Sequence, residues 1–106
     1  METTTRIARI AALADRIETE TRERFVADGM NPELHETHAI KVTVKPGKKY
    51  TKIDVGSSGK YMVTEDGEIF GIKTYGVIHW GHQYGTVDTI NEWDWSGYTA
   101  RKKVAA

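Results

Sequence analysis

The spacing of apolar residues changes once along this chain, and that change constrains the fold more than any other feature. Before residue 30, apolar residues recur every three or four positions, which is the period of an amphipathic helix. These residues are Ile7, Ile10, Leu13, Ala14, Ile17 and Phe25. From Ile40 onward, apolar and polar residues alternate, which is the period of a β-strand. Eight of the ten glycines lie in residues 56–97, where tight turns are therefore expected. The pattern predicts an α+β chain.

The helix is predicted to cover about residues 4–27 within a helical segment 1–30, and residues 31–39 are predicted to be a linker. Gly29 and Pro32 supply the stop signal. The apolar stripe can dock on the β-rich part, which is the expected arrangement. The alternative is a homo-oligomer through this helix, but Thr21 interrupts the heptad pattern after about two repeats, fewer than a stable coiled coil needs.

A lysine-rich hairpin is predicted at residues 40–55. Two alternating runs flank a turn at residues 46–49, and a four-residue loop there places Lys41 opposite Asp54. This register puts the branched apolar residues on one face, which becomes core. The other face carries the lysines and is basic.

Further strands complete the β-rich part. Asp66 and Gly67 favour a two-residue turn that pairs Val63 with Phe70. Two more strands are expected at about residues 75–80 and 84–90. Five or six strands in residues 40–98 predict a small, strongly curved antiparallel β-barrel or sandwich of SH3-like or OB-like size. Residues 99–106 then form a basic tail.

The charges are segregated along the chain although the net charge is zero. Residues 40–62 contain six lysines and one aspartate, and this excess creates a local positive field. Lysines beside an aromatic residue are typical of a surface that binds DNA or RNA through phosphate contacts. The predicted nucleic-acid-binding residues are Lys41, Lys45, Lys48, Lys49, Tyr50, Lys52 and Lys60. Lysines that only keep an exposed hairpin soluble are the alternative.

A second candidate surface is aromatic. Trp93 and Trp95 flank Asp94, so both indoles face the same way in an extended chain. They either close the barrel as part of its core or, when exposed, bind a protein partner. The predicted partner-binding residues are Trp80, Trp93, Trp95 and Tyr98.

The histidines and carboxylates of this chain do not match the spacing of a known metal site or catalytic motif. His35 and His38, and likewise His79 and His82, have a spacing that needs a turn before both rings reach one metal ion, so no metal and no cofactor are predicted. Asp88 lies near two histidines, but no nucleophile motif accompanies it. The chain is therefore not expected to be an enzyme.

The chain contains no cysteine, and its apolar runs are too short for a membrane span or a secretory signal. We therefore expect a cytoplasmic protein that does not bind membranes.

The segment KVTVKPGKKYTKIDVGSSGKYMV, together with the following GEIFGIKTYGVIHWGHQYGTVDTI, resembles short bacteriophage-encoded proteins that have no assigned activity. The resemblance covers about residues 41–90. It implies a small intracellular phage product, for which binding of nucleic acid and modulation of a host protein are both common roles, and it assigns no residue to either.

Overall fold

The computed structural model describes residues 3–103 and confirms the α+β prediction. The elements are α1 Thr3–Ala27, a 3-10 turn Pro32–His35, a π-helical turn Glu36–Ile40, β1 Val42–Pro46, β2 Thr51–Val55, β3 Ser58–Val63, β4 Glu68–Thr74, β5 Val77–Thr86, a 3-10 turn Ile90–Glu92, β6 Trp93–Asp94 and β7 Arg101–Lys102. The predicted helix boundaries agree with α1. Among residues 3–103, no helix has both the length and the apolar character needed to cross a membrane.

The five longer strands form one antiparallel sheet in the order β1-β2-β3-β4-β5. Within the described residues β1 and β5 are the two edges and do not pair, so the strands do not close into the predicted barrel. A separate ribbon joins β6 to β7, with Trp93 opposite Lys102. The start of the predicted basic tail is thus paired with the chain, and residues 104–106 lie outside the described residues.

The helix docks on one face of this sheet. Ile10, Leu13 and Ile17 are buried there in the main core. The other members of this core are Ile53, Val55, Tyr61, Val63, Ile69, Val87, Trp95 and Ala100. Two helix carboxylates fix the arrangement, since Glu18 accepts the Val42 N–H at 2.9 Å and Glu20 accepts the Trp95 N–H at 2.9 Å. The middle of the apolar stripe is therefore covered by the protein's own sheet, whereas Ile7 at its start remains 61% exposed.

The lysine hairpin has the predicted faces but a different register. Thr43 lies opposite Asp54, so the predicted pairing of Lys41 with Asp54 is wrong. The loop is residues 47–50, one position later than predicted, and both strands shift with it. Because the partner changes by two residues, every side chain keeps its face.

The second hairpin is offset by one residue. Met62 pairs with Phe70 and Val63 with Ile69, where a two-residue turn predicts Val63 with Phe70. Gly67 adopts a positive φ of 84°, and this left-handed residue completes a three-residue turn instead. A shift of one residue exchanges faces, so Phe70 does not share the face of Val63 in the main core. It lies on the opposite side of the sheet.

A single strand, β5, replaces the two strands predicted after residue 74. Its pairing with β4 jumps from His79 opposite Gly71 to Gln83 opposite Phe70. Residues 80–82 have no partner on β4 and form a bulge of three extra residues. The predicted loop is therefore a bulge inside a continuous strand, and it projects the Trp80 side chain from the sheet.

Candidate nucleic-acid interface

The face of the sheet opposite α1, called here the outer face, carries a second apolar cluster. Met62, Phe70 and Ile78 are buried in it, and Tyr50 and Ile72 pack against them. This cluster exists because the one-residue register difference turns Phe70 and Ile72 away from the main core.

An aromatic ledge, formed by Tyr50 and Trp80, lies on this cluster. The Trp80 ring packs edge to face on Phe70 with centroids 5.0 Å apart, and lies 6.2 Å from the Tyr50 ring. Trp80 nevertheless remains 62% exposed. The indole is therefore held by the protein through these ring contacts while much of the ring remains open to a ligand.

A cavity of about 340 Å³ opens beside the ledge. Lys49 and the carboxylates that follow β3 both line it. The lining residues are Lys49, Tyr50, Thr64, Glu65, Asp66, Glu68 and Trp80. A cation, two aromatic rings and several hydrogen-bond acceptors thus converge on one opening.

Four polar residues form a cluster next to this ledge on the outer face. Lys45 lies 3.0 Å from Asp54 and donates to the Tyr75 hydroxyl at 3.3 Å. Lys52 lies 4.9 Å from the centroid of the Tyr75 ring. Hydrogen bonds to Asp54 and then to Tyr75 raise the pKa of Lys45 above its ordinary value. Both lysines are therefore partly occupied by intramolecular contacts.

The other predicted lysines are distributed unequally. Lys48 and Lys49 are exposed in the turn, and within residues 3–103 neither forms an ion pair. Lys41 is exposed near Glu36 and helps to lower the pKa of that carboxyl, after the hydrogen bond from Arg22. Lys60 contacts Tyr98 instead, with its ammonium 3.6 Å from the ring centroid. The structure therefore brings Lys45, Lys49, Tyr50 and Lys52 to the outer face with the turn residue Lys48, and separates Lys60 from them.

The four residues predicted for a protein-binding surface do not form one patch. Trp95 is 1% exposed, and its indole N–H donates to the Ile90 carbonyl at 3.0 Å, so its assignment to a surface is wrong. Trp93 is half-buried against Tyr84. Trp80 lies on the outer face and Tyr98 is 86% exposed beside Lys60. The Trp93 and Trp95 pair is thus largely part of the core, the other reading of their spacing.

Both histidine pairs come together, because each lies where the backbone bends. His35 Nδ1 is 3.1 Å from His38 Nε2 on the short helical turns. The His79 and His82 rings stack with centroids 3.9 Å apart across the β5 bulge. In the described part of the chain, however, no three metal-ligating side chains converge. Asp88 pairs with Arg9 rather than with a histidine.

Comparison with known proteins adds no assignment: the chain matches no protein-family model, no curated protein and no solved structure. The outer face itself is therefore the basis for a proposal. The sequence analysis missed Tyr75 and the contact between the Trp80 and Tyr50 rings. The turn at Gly67, which sets the register of Phe70, is the signal for the packing of Trp80 on this face.

Proposed function

We propose that this protein binds single-stranded nucleic acid on the outer face of its sheet. The observation that carries the proposal is the exposed Trp80 ring, fixed on Phe70 beside Tyr50 and next to the lysine turn. Aromatic side chains that stack unpaired bases, beside lysines that contact the phosphate backbone, are the usual elements of single-strand binding.

The positions of the charges suggest a path for the strand. Phosphates would lie along Lys48 and Lys49, which are exposed and form no ion pair within residues 3–103, and then near Lys45 and Lys52. Glu65, Asp66 and Glu68 line the cavity beside the ledge and repel phosphates from it, so a base is better suited than a phosphate to enter it. A base that stacks on Trp80 would direct its edge toward these carboxylates.

This arrangement favours bases with an exocyclic amine. Carboxylates accept hydrogen bonds from the N4 amine of cytosine, whereas thymine presents a carbonyl oxygen at the same position. We therefore expect oligo(dC) to bind more tightly than oligo(dT) of equal length. The preference should diminish when Glu65 and Glu68 are both replaced by Gln, because the amide presents donors as well as an acceptor.

Tryptophan fluorescence tests the proposal directly. Titration with a 12-mer of single-stranded DNA at low salt should quench the emission of Trp80, since stacked bases contact its ring. Trp80→Phe removes this signal and keeps an aromatic ring, and anisotropy of labelled DNA then reports whether affinity remains. Unchanged emission and anisotropy with single-stranded DNA and RNA would reject the proposal, and equal affinity for a 12-bp duplex would reject base stacking.

Binding of a host protein remains the alternative function. It is favoured by the large exposed fractions of Trp80 and Tyr98. A partner that contacts Trp80 would be displaced by oligo(dC) if both ligands share the outer face. A partner that is retained by Trp80→Ala and by the Lys48→Ala/Lys49→Ala double variant, but lost by Tyr98→Ala, would place that function elsewhere.

A further inference from the structure

We propose that a second cavity, which opens where β3, β4 and β5 approach the chain at Tyr98, binds a small phosphorylated molecule. The cavity has a volume of about 270 Å³ and lies between β3, β4, β5 and the chain at Tyr98. Its lining residues are Gly59, Lys60, Gly71, Ile72, Lys73, His79, His82, Tyr84, Tyr98 and Thr99. This site is separate from the aromatic ledge and does not depend on the function proposed above.

The lining is rich in groups that bind anions. Lys60, Lys73, His79 and His82 supply two ammonium groups and two imidazoles, and none of the described lining residues is acidic. Charged and neutral N–H donors of this kind form strong hydrogen bonds with phosphate oxygens. The chemistry of the cavity therefore favours an anionic ligand.

The environment of the Lys60 ammonium is the main evidence for an anion site. Its ammonium donates to the Tyr98 carbonyl at 2.9 Å and lies on the face of the Tyr98 ring, and within residues 3–103 it forms no ion pair. Burial lowers the pKa of Lys60, and no nearby carboxylate opposes that effect. A half-buried cation without a counterion is costly, and a bound anion would offset the cost.

The two histidines are held in place by the β5 bulge. Their rings are nearly parallel, with an interplanar angle of 11°, and they stand beside Gly71. A side chain at Gly71 would approach the Tyr84 hydroxyl to 3.3 Å and the His82 Cβ to 3.5 Å. Glycine at this position therefore leaves the Tyr84 hydroxyl and the imidazoles open to the cavity.

The number of donor side chains in the cavity and the cavity volume favour a phosphate monoester over a carboxylate ligand. A carboxylate offers two oxygens, whereas a phosphate monoester offers three terminal oxygens and up to two negative charges, which better matches four cationic or imidazole groups. The cavity exceeds the space of one phosphate, since a water molecule takes roughly 30 Å³. The remaining space adjoins the exposed Tyr98 ring, so the organic part of the ligand is expected to stack there.

The ring-proton NMR signals of the four histidines provide a test with an internal control. We would titrate the protein with inorganic phosphate, adenosine 5′-monophosphate, adenosine and acetate at constant pH and ionic strength. Phosphate and the monophosphate should shift the Cε1–H signals of His79 and His82, and the monophosphate should bind more tightly. His35 and His38 should not respond. No shift at millimolar concentrations, equal shifts of all four histidines, or an equal response to acetate would overturn the proposal.

Substitutions separate the lysines of the cavity from general charge effects. Lys60→Met and Lys73→Met keep the side-chain length and remove the ammonium, and each should weaken binding of the monophosphate about tenfold or more. Lys102→Met, on β7, removes the same charge outside the cavity and should leave the affinity unchanged. Wild-type affinity in both cavity variants would contradict the proposal. Lys73 is exposed, so its variant remains informative if Lys60→Met fails to fold.

Discussion

Lys45 and Lys52 lie directly opposite each other on β1 and β2. Lys45 pairs with Asp54, and the Lys52 ammonium lies 4.9 Å from the centroid of the Tyr75 ring. Like charges in directly opposed positions destabilise an antiparallel pair. Asp54 offsets this repulsion through its ion pair with Lys45, and the Tyr75 ring contacts the ammonium groups of both lysines. The four residues are thus a local electrostatic unit.

Replacement of Asp54 by Asn should lower the melting temperature. Lys45 would lose its carboxylate partner, and its charge would then face that of Lys52 without an ion pair to offset the repulsion. The Lys52→Met/Asp54→Asn double variant should recover part of the loss, since it removes one of the two cations. Thermal unfolding at neutral pH and low salt measures both. If the double variant is no more stable than Asp54→Asn alone, repulsion between the lysines is not the cause of the loss.

The two tryptophans on opposite faces of the sheet should differ strongly in their contribution to stability. Trp95→Ala empties a buried position and should reduce the free energy of unfolding by about 3 to 5 kcal/mol. Trp80→Ala should cost only about 1 kcal/mol, because its main loss is the edge-to-face contact with Phe70. Urea denaturation followed by circular dichroism compares the two variants. Similar losses for both would contradict the assignment of Trp80 to a ligand surface.

The helix α1 and the strands β1 to β4 could be predicted from periodicity, because each of them follows a local pattern, whereas the continuous β5 and the β6–β7 ribbon could not. Ile10, Leu13 and Ile17 share one helix face, and Val42 and Val44 share one strand face, whatever the distant contacts are. Closure of the sheet could not be predicted, since it depends on which strands meet at the edges. In this chain α1 covers one face, and Glu18 already satisfies a backbone N–H of the edge strand β1.

The candidate site could be predicted in part for the same reason. The lysines of β1 and β2 lie on the predicted face because a register change of two residues leaves faces unchanged, whereas Lys60 contacts Tyr98 instead. The predicted pairing of Val63 with Phe70 is wrong because a three-residue turn and a two-residue turn differ by one residue, and a sequence with Asp66 and Gly67 is compatible with both. The packing of Trp80 on Phe70 follows only from the correct turn.

The ion pair between Arg22 and Glu36 should make stability sensitive to acid. Two hydrogen bonds, of 2.5 and 2.8 Å, join the guanidinium to the carboxylate, and they lower the pKa of Glu36 below its ordinary value of 4.5. Because the folded-state pKa is depressed, the contribution is present above about pH 4.5 and is lost as the pH falls through the lowered value. The difference in melting temperature between wild type and Glu36→Gln should therefore shrink as the pH is lowered from neutral. A constant difference would contradict the ion pair.

Two glycines with positive φ should respond differently to alanine. Gly29, with φ 77°, has open space around an added Cβ, so Gly29→Ala should cost about 1 kcal/mol from backbone strain alone. At Gly56, with φ 61°, the added Cβ would also collide with the His38 carbonyl, which accepts the Ser57 N–H at 3.1 Å. Gly56→Ala should therefore cost at least twice as much in urea denaturation. Equal costs would show that residues 36–40 do not pack against this turn.

The salt dependence of single-strand binding tests the role assigned to the lysine turn. Each lysine that neutralises a phosphate contributes about 0.7 to the slope of log affinity against log salt for a single strand. Lys48→Ala/Lys49→Ala should thus flatten this slope by about 1.4 and leave the melting temperature unchanged, because both side chains are exposed. Lys102→Ala removes a charge on β7 and should leave the slope as it is. Anisotropy titrations with labelled oligo(dC) at several salt concentrations provide the slopes. A wild-type slope in the double variant would show that phosphates do not contact this turn, even if bases still stack on Trp80.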